Sequence, residues 1–312
     1  MISSQDALEA NSFIVSEKEI AYRLDLLLVH RFPSYSRTYF QYLIEEGYVL
    51  LNGQVCKKRT KPQKDDEIEI CFQWTPEISL APENIPLTIV YEDEDLIAIN
   101  KPAGMVVHPA CGHPSGTFVN ALLHHCQTFQ CKDPIRPGIV HRLDKGTTGL
   151  LIAAKNPRAH QKLVEAFASR SIEKYYLAIT VGRPPEGLID APIGRDPIHR
   201  KQMAICFEKG KEAKSECRIL ATSHPLSLVE VRLITGRTHQ IRVHLKHQGT
   251  PVLGDPVYGS PGVNKKFDQH EQLLHAHRLS LIHPISGVPL HLVAPPPANF
   301  LQYTHKFESG LT

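Results

Sequence analysis

The sequence predicts an α+β fold: a large mixed sheet carrying a few helices, preceded by a small module of two helices and a hairpin. Three observations lead there. Strand-like apolar runs outnumber helical patterns and do not alternate regularly with them, which argues against a doubly wound sheet. Residues 75–86 contain three prolines and little periodicity, as a linker does. The 312 residues suffice for two domains of unequal size. The expected division is a loose tail at 1–18, a module at 19–75, a linker at 76–86 and a large domain at 87–312.

The elements follow from local pattern. Leu24, Leu27 and Leu28 form an apolar helical stripe that ends near Pro33. Ser36 is placed to cap a second helix, with Phe40, Leu43 and Ile44 on one face and Gly47 just past its end. Asn52-Gly53 then separates two apolar runs, a strong hairpin signal. Lys57, Lys58, Arg59, Lys61 and Lys64 follow, with Ile68 and Ile70 in a last strand. In the large domain, strands are expected at 87–91 and 96–100 and a helix at 118–126. Asn156-Pro157 is a helix start, an N-cap followed by proline at the first helical position, with Leu163, Val164 and Phe167 inward. Strands recur at 174–181 and 228–235, and a helix at 238–247. Beyond residue 250, Asp255-Pro256 and the prolines at 295–297 suggest irregular structure.

Bulk composition narrows the function classes. The net charge is only +3, so a nucleic-acid surface must come from local clustering. The seven cysteines are odd in number and form no C-x-x-C, which fits reduced thiols in the cytoplasm better than a disulfide framework. Cys111, Cys126 and Cys131 lie near His108, His113, His124 and His125, but at spacings that match no standard zinc pattern, so no metal is expected. Residues 1–16 lack the charged and apolar regions of a signal peptide. No apolar run approaches the roughly 18 residues of a membrane span. These features predict a cytoplasmic protein.

Chemistry concentrates in a few segments. In Gly138-Ile139-Val140-His141-Arg142-Leu143-Asp144-Lys145-Gly146-Thr147-Thr148-Gly149 an apolar run stops at a polar cluster, turns, and resumes at Leu150. Asp144 is thereby held on a sheet rim, two residues from an always-charged guanidinium. That is either a charged turn or a carboxylate kept ionised for chemistry. At 174–181, period-two alternation puts Tyr175, Leu177, Ile179 and Val181 on one face, with Tyr175 expected in the core. Tyr176 falls on the other face beside Ala178, where a flat substrate fits. On the helix at 238–247, His239, Arg242 and Lys246 share a polar face while Ile241 and Leu245 face the core. His199, Arg200 and Lys201, followed by Lys209, Lys211 and Lys214, read as a basic edge open to an RNA backbone.

Competing chemistries fit less well. Leu143 interrupts any kinase-like H-R-D, and no D-F-G follows. A glycosidase-like hydrolase needs a second carboxylate, and neither Asp255 nor Glu173 is well placed by pattern. No dinucleotide fingerprint or P-loop occurs, so no nucleotide cofactor is expected.

Two resemblances gather these segments. Arg23-Leu24-Asp25, Ser36-Arg37, the helix end Glu46-Gly47-Tyr48-Val49, Leu51-Asn52-Gly53 and the strand at 65–70 resemble an S4 RNA-binding domain. A helix start carrying Arg37 and Tyr39 beside a basic hairpin suits the phosphates of a folded RNA. His141-Arg-Leu-Asp144, Thr147-Thr148-Gly149, Lys174-x-Tyr176, Gly236-Arg-x-His-Gln-Ile-Arg242 and Gly254-Asp255 together resemble the RluA-type pseudouridine synthases. Among these the chain resembles the branch that keeps an S4 domain and modifies large-subunit ribosomal RNA. Thr148, often Ser in relatives, keeps the hydroxyl.

The resemblance implies a pseudouridine synthase fold with a mainly antiparallel sheet, and the isomerisation of uridine to pseudouridine with no cofactor. It implies Asp144 as nucleophile, Tyr176 as the aromatic against the target base, Arg242 as the salt-bridge partner of Asp144, and Arg142 as a helper in unstacking the base. His141, Arg237, His239, Arg200, Lys201, Arg37, Lys57, Lys58 and Arg59 are expected to contact RNA. The expected partner is large-subunit ribosomal RNA or the assembling subunit, met by a monomer. The alternative is a non-catalytic RNA-binding or ribosome-assembly protein that keeps the fold.

Overall fold

The computed structural model describes residues 7–33, 35, 37–73, 80–109, 113, 115–126, 137–199 and 202–308. The chain divides into two compact units, Met1–Asn84 with His108–Gly138, and Ile85–Val107 with Ile139–Thr312. Residues 108–138 were expected in the large domain and instead group with the N-terminal part. The tie is visible at Asn120, whose side chain donates to the Ala81 carbonyl at 2.9 Å and whose carbonyl accepts the Glu83 N–H at 3.0 Å.

The first unit contains β1 (Ala7–Ile14), α1 (Leu24–Arg31), α2 (Arg37–Glu45), β2 (Val49–Leu51), β3 (Gln54–Val55), β4 (Glu67–Gln73) and α3 (Phe118–His125). Its antiparallel sheet runs β1-β4-β2-β3. Leu24, Leu27 and Leu28 of α1 and Phe40, Leu43 and Ile44 of α2 are fully buried against Ile68 and Ile70, so the apolar stripes do face one core. Asn52 and Gly53 both have positive φ, 50° and 73°, the mirror-image turn that matches the twist of a two-residue hairpin.

Two expectations fail here. The tail at 1–18 is a strand over Ala7–Ile14, because β4 offers an open edge that supplies backbone hydrogen bonds no local pattern announces. Tyr39 was expected beside phosphates but is fully buried, stacked on Tyr35 with centroids 5.1 Å apart. Ser36 and residues 74–79 of the expected linker lie outside the described residues.

The second unit holds β5 (Ile89–Glu92), β6 (Leu96–Lys101), β7 (Thr148–Ala154), α4 (Pro157–Ala168), β8 (Glu173–Val181), β9 (Gly187–Asp190), β10 (Ile193–Arg195), β11 (Met203–Ile205), β12 (Lys214–Ser223), β13 (Leu226–Leu233), α5 (Gln240–His247), α6 (Pro261–Lys266), β14 (Leu274–Ile282), β15 (Pro289–Val293) and α7 (Ala298–Glu308). The large sheet runs β5-β6-β7-β14-β8-β13-β12-β9, with β15 on β14. Only β7 and β14 pair in parallel, so the sheet is mixed and mainly antiparallel. β7 is buried along its whole length, as a central strand must be.

The region beyond 250 is irregular around Asp255-Pro256 and at the prolines 295–297, as expected, but it also supplies β14, which sits in the middle of the sheet. Its His275, His277 and Arg278 break the apolar alternation that marks a strand, and burial is tolerated because both His275 ring nitrogens are bonded, to Thr148 Oγ1 at 2.8 Å and the Ala294 carbonyl at 3.0 Å. On α4, Asn156 caps the Ala159 N–H at 2.9 Å as expected, and Leu163 is fully buried, but Val164 is 42 % exposed.

Candidate active site

Asp144 lies in the loop that enters β7. His141 anchors the approach: its Nε2 accepts the Ile152 N–H at 2.9 Å and its ring stacks on Phe167. Burial pushes its pKa down to about 3, with the Lys174 charge assisting, so the ring is a neutral acceptor. His141 therefore braces the fold rather than facing RNA, a correction to the expectation. The turn after Asp144 closes through the Thr147 N–H on the Asp144 carbonyl at 3.0 Å. Gly149, with φ of 105°, passes so close to β14 that a Cβ would lie 2.2 Å from the Ala276 carbonyl oxygen. Thr147 accepts from Gln272 Nε2 at 3.1 Å, and Thr148 is bonded to His275.

A group that pattern did not reveal also holds this turn. Lys101, fully buried at the end of β6, donates to the carbonyls of Pro102, Met105 and Lys145 at 2.8, 3.0 and 3.2 Å. Burial pulls its pKa down to about 8, against the attraction of Asp144 and Glu271. In the sequence it reads only as the end of a strand before a proline.

Arg242, on α5, meets two carboxylates. Its Nη1 donates to Asp144 Oδ2 at 2.9 Å, while Nε and Nη2 grip Asp255 at 2.7 and 2.9 Å. Burial opposes its charge, but the two carboxylates outweigh that and raise its pKa. Asp255, fully buried, is itself kept ionised: burial works against it, and Arg242 together with the N–H groups of Tyr258 and Val257 wins. The role of Asp255 was missed because its 13-residue separation from Arg242 leaves no local signal. Gln240 uses all its amide valences, accepting from Thr235 Oγ1 and the Arg237 N–H and donating to the Lys214 carbonyl and Ser215 Oγ, and so fixes the loop before α5. His239 stands at the helix start with φ of 57°, a left-handed conformation costing about 1–2 kcal/mol for a non-glycine residue.

These groups line one open cleft, with Asp144, Tyr176, Arg142, Arg237, His239 and Arg242 among its walls. Tyr176 is nearly buried, and burial followed by the Asp144 charge raises its pKa, so it is a neutral phenol. Tyr175 is only partly buried and lies under the Arg278 guanidinium, 4.5 Å from the ring centre, rather than in the core. Arg142 is exposed, and Arg237 Nε is spent on the Glu212 carbonyl at 2.9 Å.

The other expected contacts are dispersed. Arg37 is bound to buried Asp25, Lys58 pairs with Glu45, and Lys57 and Arg59 are exposed. Arg200, Lys201, Cys111 and Cys131 lie outside the described residues. Among the described residues, Asp93, Asp95 and His283 bring three possible ligand atoms within 4.8 Å of one another, but Asp93 already accepts from Tyr91, His283 and two backbone N–H groups.

Comparison with known proteins bears on this geometry. The family model for RNA pseudouridylate synthase matches residues 95–247, and the S4 domain model matches 23–68. An uncharacterised RNA pseudouridine synthase of Synechocystis is 45% identical over 292 residues, covering 92% of this chain and 89% of that protein. The chain belongs to the RNA pseudouridine synthase family. Ribosomal large subunit pseudouridine synthase D of Escherichia coli K12 is another member, 43% identical over 302 residues, 92% of this chain and 91% of its own. Among solved structures, human RNA pseudouridylate synthase domain containing 1 superposes with a TM-score of 0.56 at 27% identity, over 69% of this chain and 85% of that one. As a pseudouridine synthase with an S4 domain, the chain carries its cleft in the part that the synthase model covers, apart from Leu274; Asp255, buried behind Arg242, also lies beyond that part.

Proposed function

We propose that this pseudouridine synthase converts uridine to pseudouridine in large-subunit ribosomal RNA, with Asp144 as the nucleophile. The observation that carries the reading is the division of Asp144: Oδ2 is held by Arg242, itself pinned by Asp255, while Oδ1 accepts no hydrogen bond among the described residues, in a cleft that Tyr176 also lines. Isomerisation breaks N1–C1′ and forms C5–C1′; the C5 proton leaves and N1 gains one, so no electrons are exchanged. A fixed carboxylate adds to an electrophilic carbon of the target nucleotide, the ribose C1′ or the base C6, and is expelled when the new bond forms. The neutral Tyr176 ring packs against the uracil. Exposed Arg142 takes part in displacing the base, an unstacking that costs a few kcal/mol and less in a loop than in a duplex.

The S4 module supplies phosphate contacts, with Lys57 and Arg59 among its exposed cations; Arg200 and Lys201 are further candidates for RNA contact. Among the described residues no helix is long and apolar enough to cross a membrane; the protein works as a cytoplasmic monomer on free or assembling large-subunit RNA. The relative named for the large subunit supports this substrate, and the hydrogen-bonded arrangement of Asp144, Arg242 and Asp255 at the cleft supports catalysis over binding alone. The test is incubation with large-subunit RNA tritiated at uracil C5. Release of label at discrete uridines is expected; absence of release on every ribosomal RNA overturns the activity.

A further inference from the structure

We propose that Tyr258 locks His239 as the neutral tautomer with its proton on Nε2, and that this N–H steers the free oxygen of Asp144, making His239 a positioning residue for the reaction. The inference rests on the activity proposed above. It starts from hydrogen-bond counting. The Tyr258 hydroxyl oxygen lies 2.8 Å from the Met203 backbone N–H, which can only donate, and 2.8 Å from His239 Nδ1. Tyr258 is 3% exposed, and among the described residues no other acceptor is bonded to its hydroxyl. A buried O–H finds an acceptor, so it donates to Nδ1. The lone pair of the ring is then on Nδ1, and the single proton of a neutral imidazole is on Nε2.

That Nε2 faces Asp144 Oδ1 at 3.8 Å, the oxygen Arg242 leaves unused. The separation is too long for a hydrogen bond but short enough for the N–H to turn the carboxylate, or to meet a substrate atom that enters between them. The ring is held in place for this. Its backbone is left-handed, its carbonyl accepts the Val243 N–H at 2.9 Å, and its face meets the Tyr258 ring edge-on.

Burial, more than the charges around it, favours the neutral form of the ring. Burial lowers its pKa; Asp144 and Asp255 oppose that, and Arg242 and Arg142 add to it. Burial also raises the Tyr258 pKa, so the phenol keeps the proton it donates. The consequence is chemical. An imidazolium would pair with Asp144 as a second cation and blunt its nucleophilicity. A neutral N–H orients the same oxygen without neutralising it. Met203 lies on β11, so the hairpin of β10 and β11 determines which way the phenol proton points.

The experiment uses the full chain with isotope-labelled histidine, and His239→Gln assigns the His239 signals. Nitrogen NMR of the free protein at pH 7 is expected to show Nδ1 unprotonated and Nε2 protonated. In Tyr258→Phe, which keeps the ring and is checked for folding by thermal melting, the two tautomers mix. Its single-turnover rate on ribosomal RNA falls ~10-fold with RNA affinity unchanged, and the acid limb of the rate profile moves to higher pH. His239→Gln, with an N–H but no titration, loses that acid limb and retains more activity than His239→Ala. A wild-type ring protonated on Nδ1 or on both nitrogens overturns the proposal, as does a Tyr258→Phe protein with wild-type tautomer and pH profile. The NMR arm reads the free protein, so it decides the tautomer even if wild-type protein forms no pseudouridine, a result that would count against the activity instead.

Discussion

Two aspartates show how the same ion pair is used for opposite ends. Asp25, fully buried in the first unit, takes Arg23, the Nε and Nη2 of Arg37, and Gln41 on a single oxygen, at 2.7–3.0 Å. Among the described residues the Asp144 carboxylate accepts a hydrogen bond from Arg242 alone, and that arginine is shared with Asp255. The N-terminal hub places two cations on one carboxylate; the cleft places two carboxylates on one cation. The first arrangement over-compensates the negative charge and welds α1 to α2. The second leaves negative charge unspent, and leaves it on the carboxylate whose side chain is 18% exposed rather than the one that is sealed. The nucleophilic role proposed for Asp144 needs that imbalance, and a structural hub does not.

The sharpest way to break the comparison is Asp144→Asn, which keeps the shape beside Arg242 but removes the carboxylate proposed as the nucleophile. Pseudouridine formation should fall at least ~10³-fold, with RNA affinity within a few-fold by filter binding. Next comes Asp255→Ala. It leaves Arg242 buried with only Asp144, so the second unit should lose about 3–5 kcal/mol in denaturant unfolding, and the rate should fall as Arg242 draws Asp144 inward. If Asp255→Ala unfolds normally, the clamp is not what sets the geometry. Asp25→Asn should instead destabilise the first unit by about 2–3 kcal/mol and weaken RNA binding, leaving the rate at saturating RNA unchanged.

Lys101 sharpens the contrast through pH. As pH rises through about 8 its ammonium loses its proton and its grip on the Lys145 carbonyl, so the rate should decline on that limb. Stability moves the other way. The folded pKa lies below the unfolded one, so burying the charge costs stability below about pH 8, and the cost is relieved as pH rises toward the unfolded value of 10.5. Lys101→Met should abolish both trends, read by rate profile and thermal melts. The smallest effect belongs to the exposed cations: Lys57→Ala with Arg59→Ala should flatten the slope of log affinity against log salt by about 1–2, with the rate at saturating RNA unaltered.

What could be read without the fold was whatever depends on neighbours in sequence. The helix stripes of α1 and α2, the Asn52-Gly53 hairpin, the Asn156 cap and the α+β class all rest on spacings of one to four residues, and so do the motifs around Asp144, Tyr176 and Arg242. Where the reading failed, a distant partner overruled the local pattern. β1 exists because β4 has an open edge; β14 is central although its histidines break the alternation; His141 is a brace because Ile152 and Phe167 meet it.

The residues that meet at the cleft, Asp144, Tyr176 and Arg242, were therefore legible in the chain alone, but their hydrogen-bond partners were not. That Arg242 is shared, that Oδ1 of Asp144 is the free oxygen, and that Lys101 and Tyr258 belong to the same machinery are matters of hydrogen-bond geometry between segments 13 to nearly 100 residues apart. A hydrogen bond is a statement about position to within a few tenths of an ångström, and only the packed sheet supplies position at that scale.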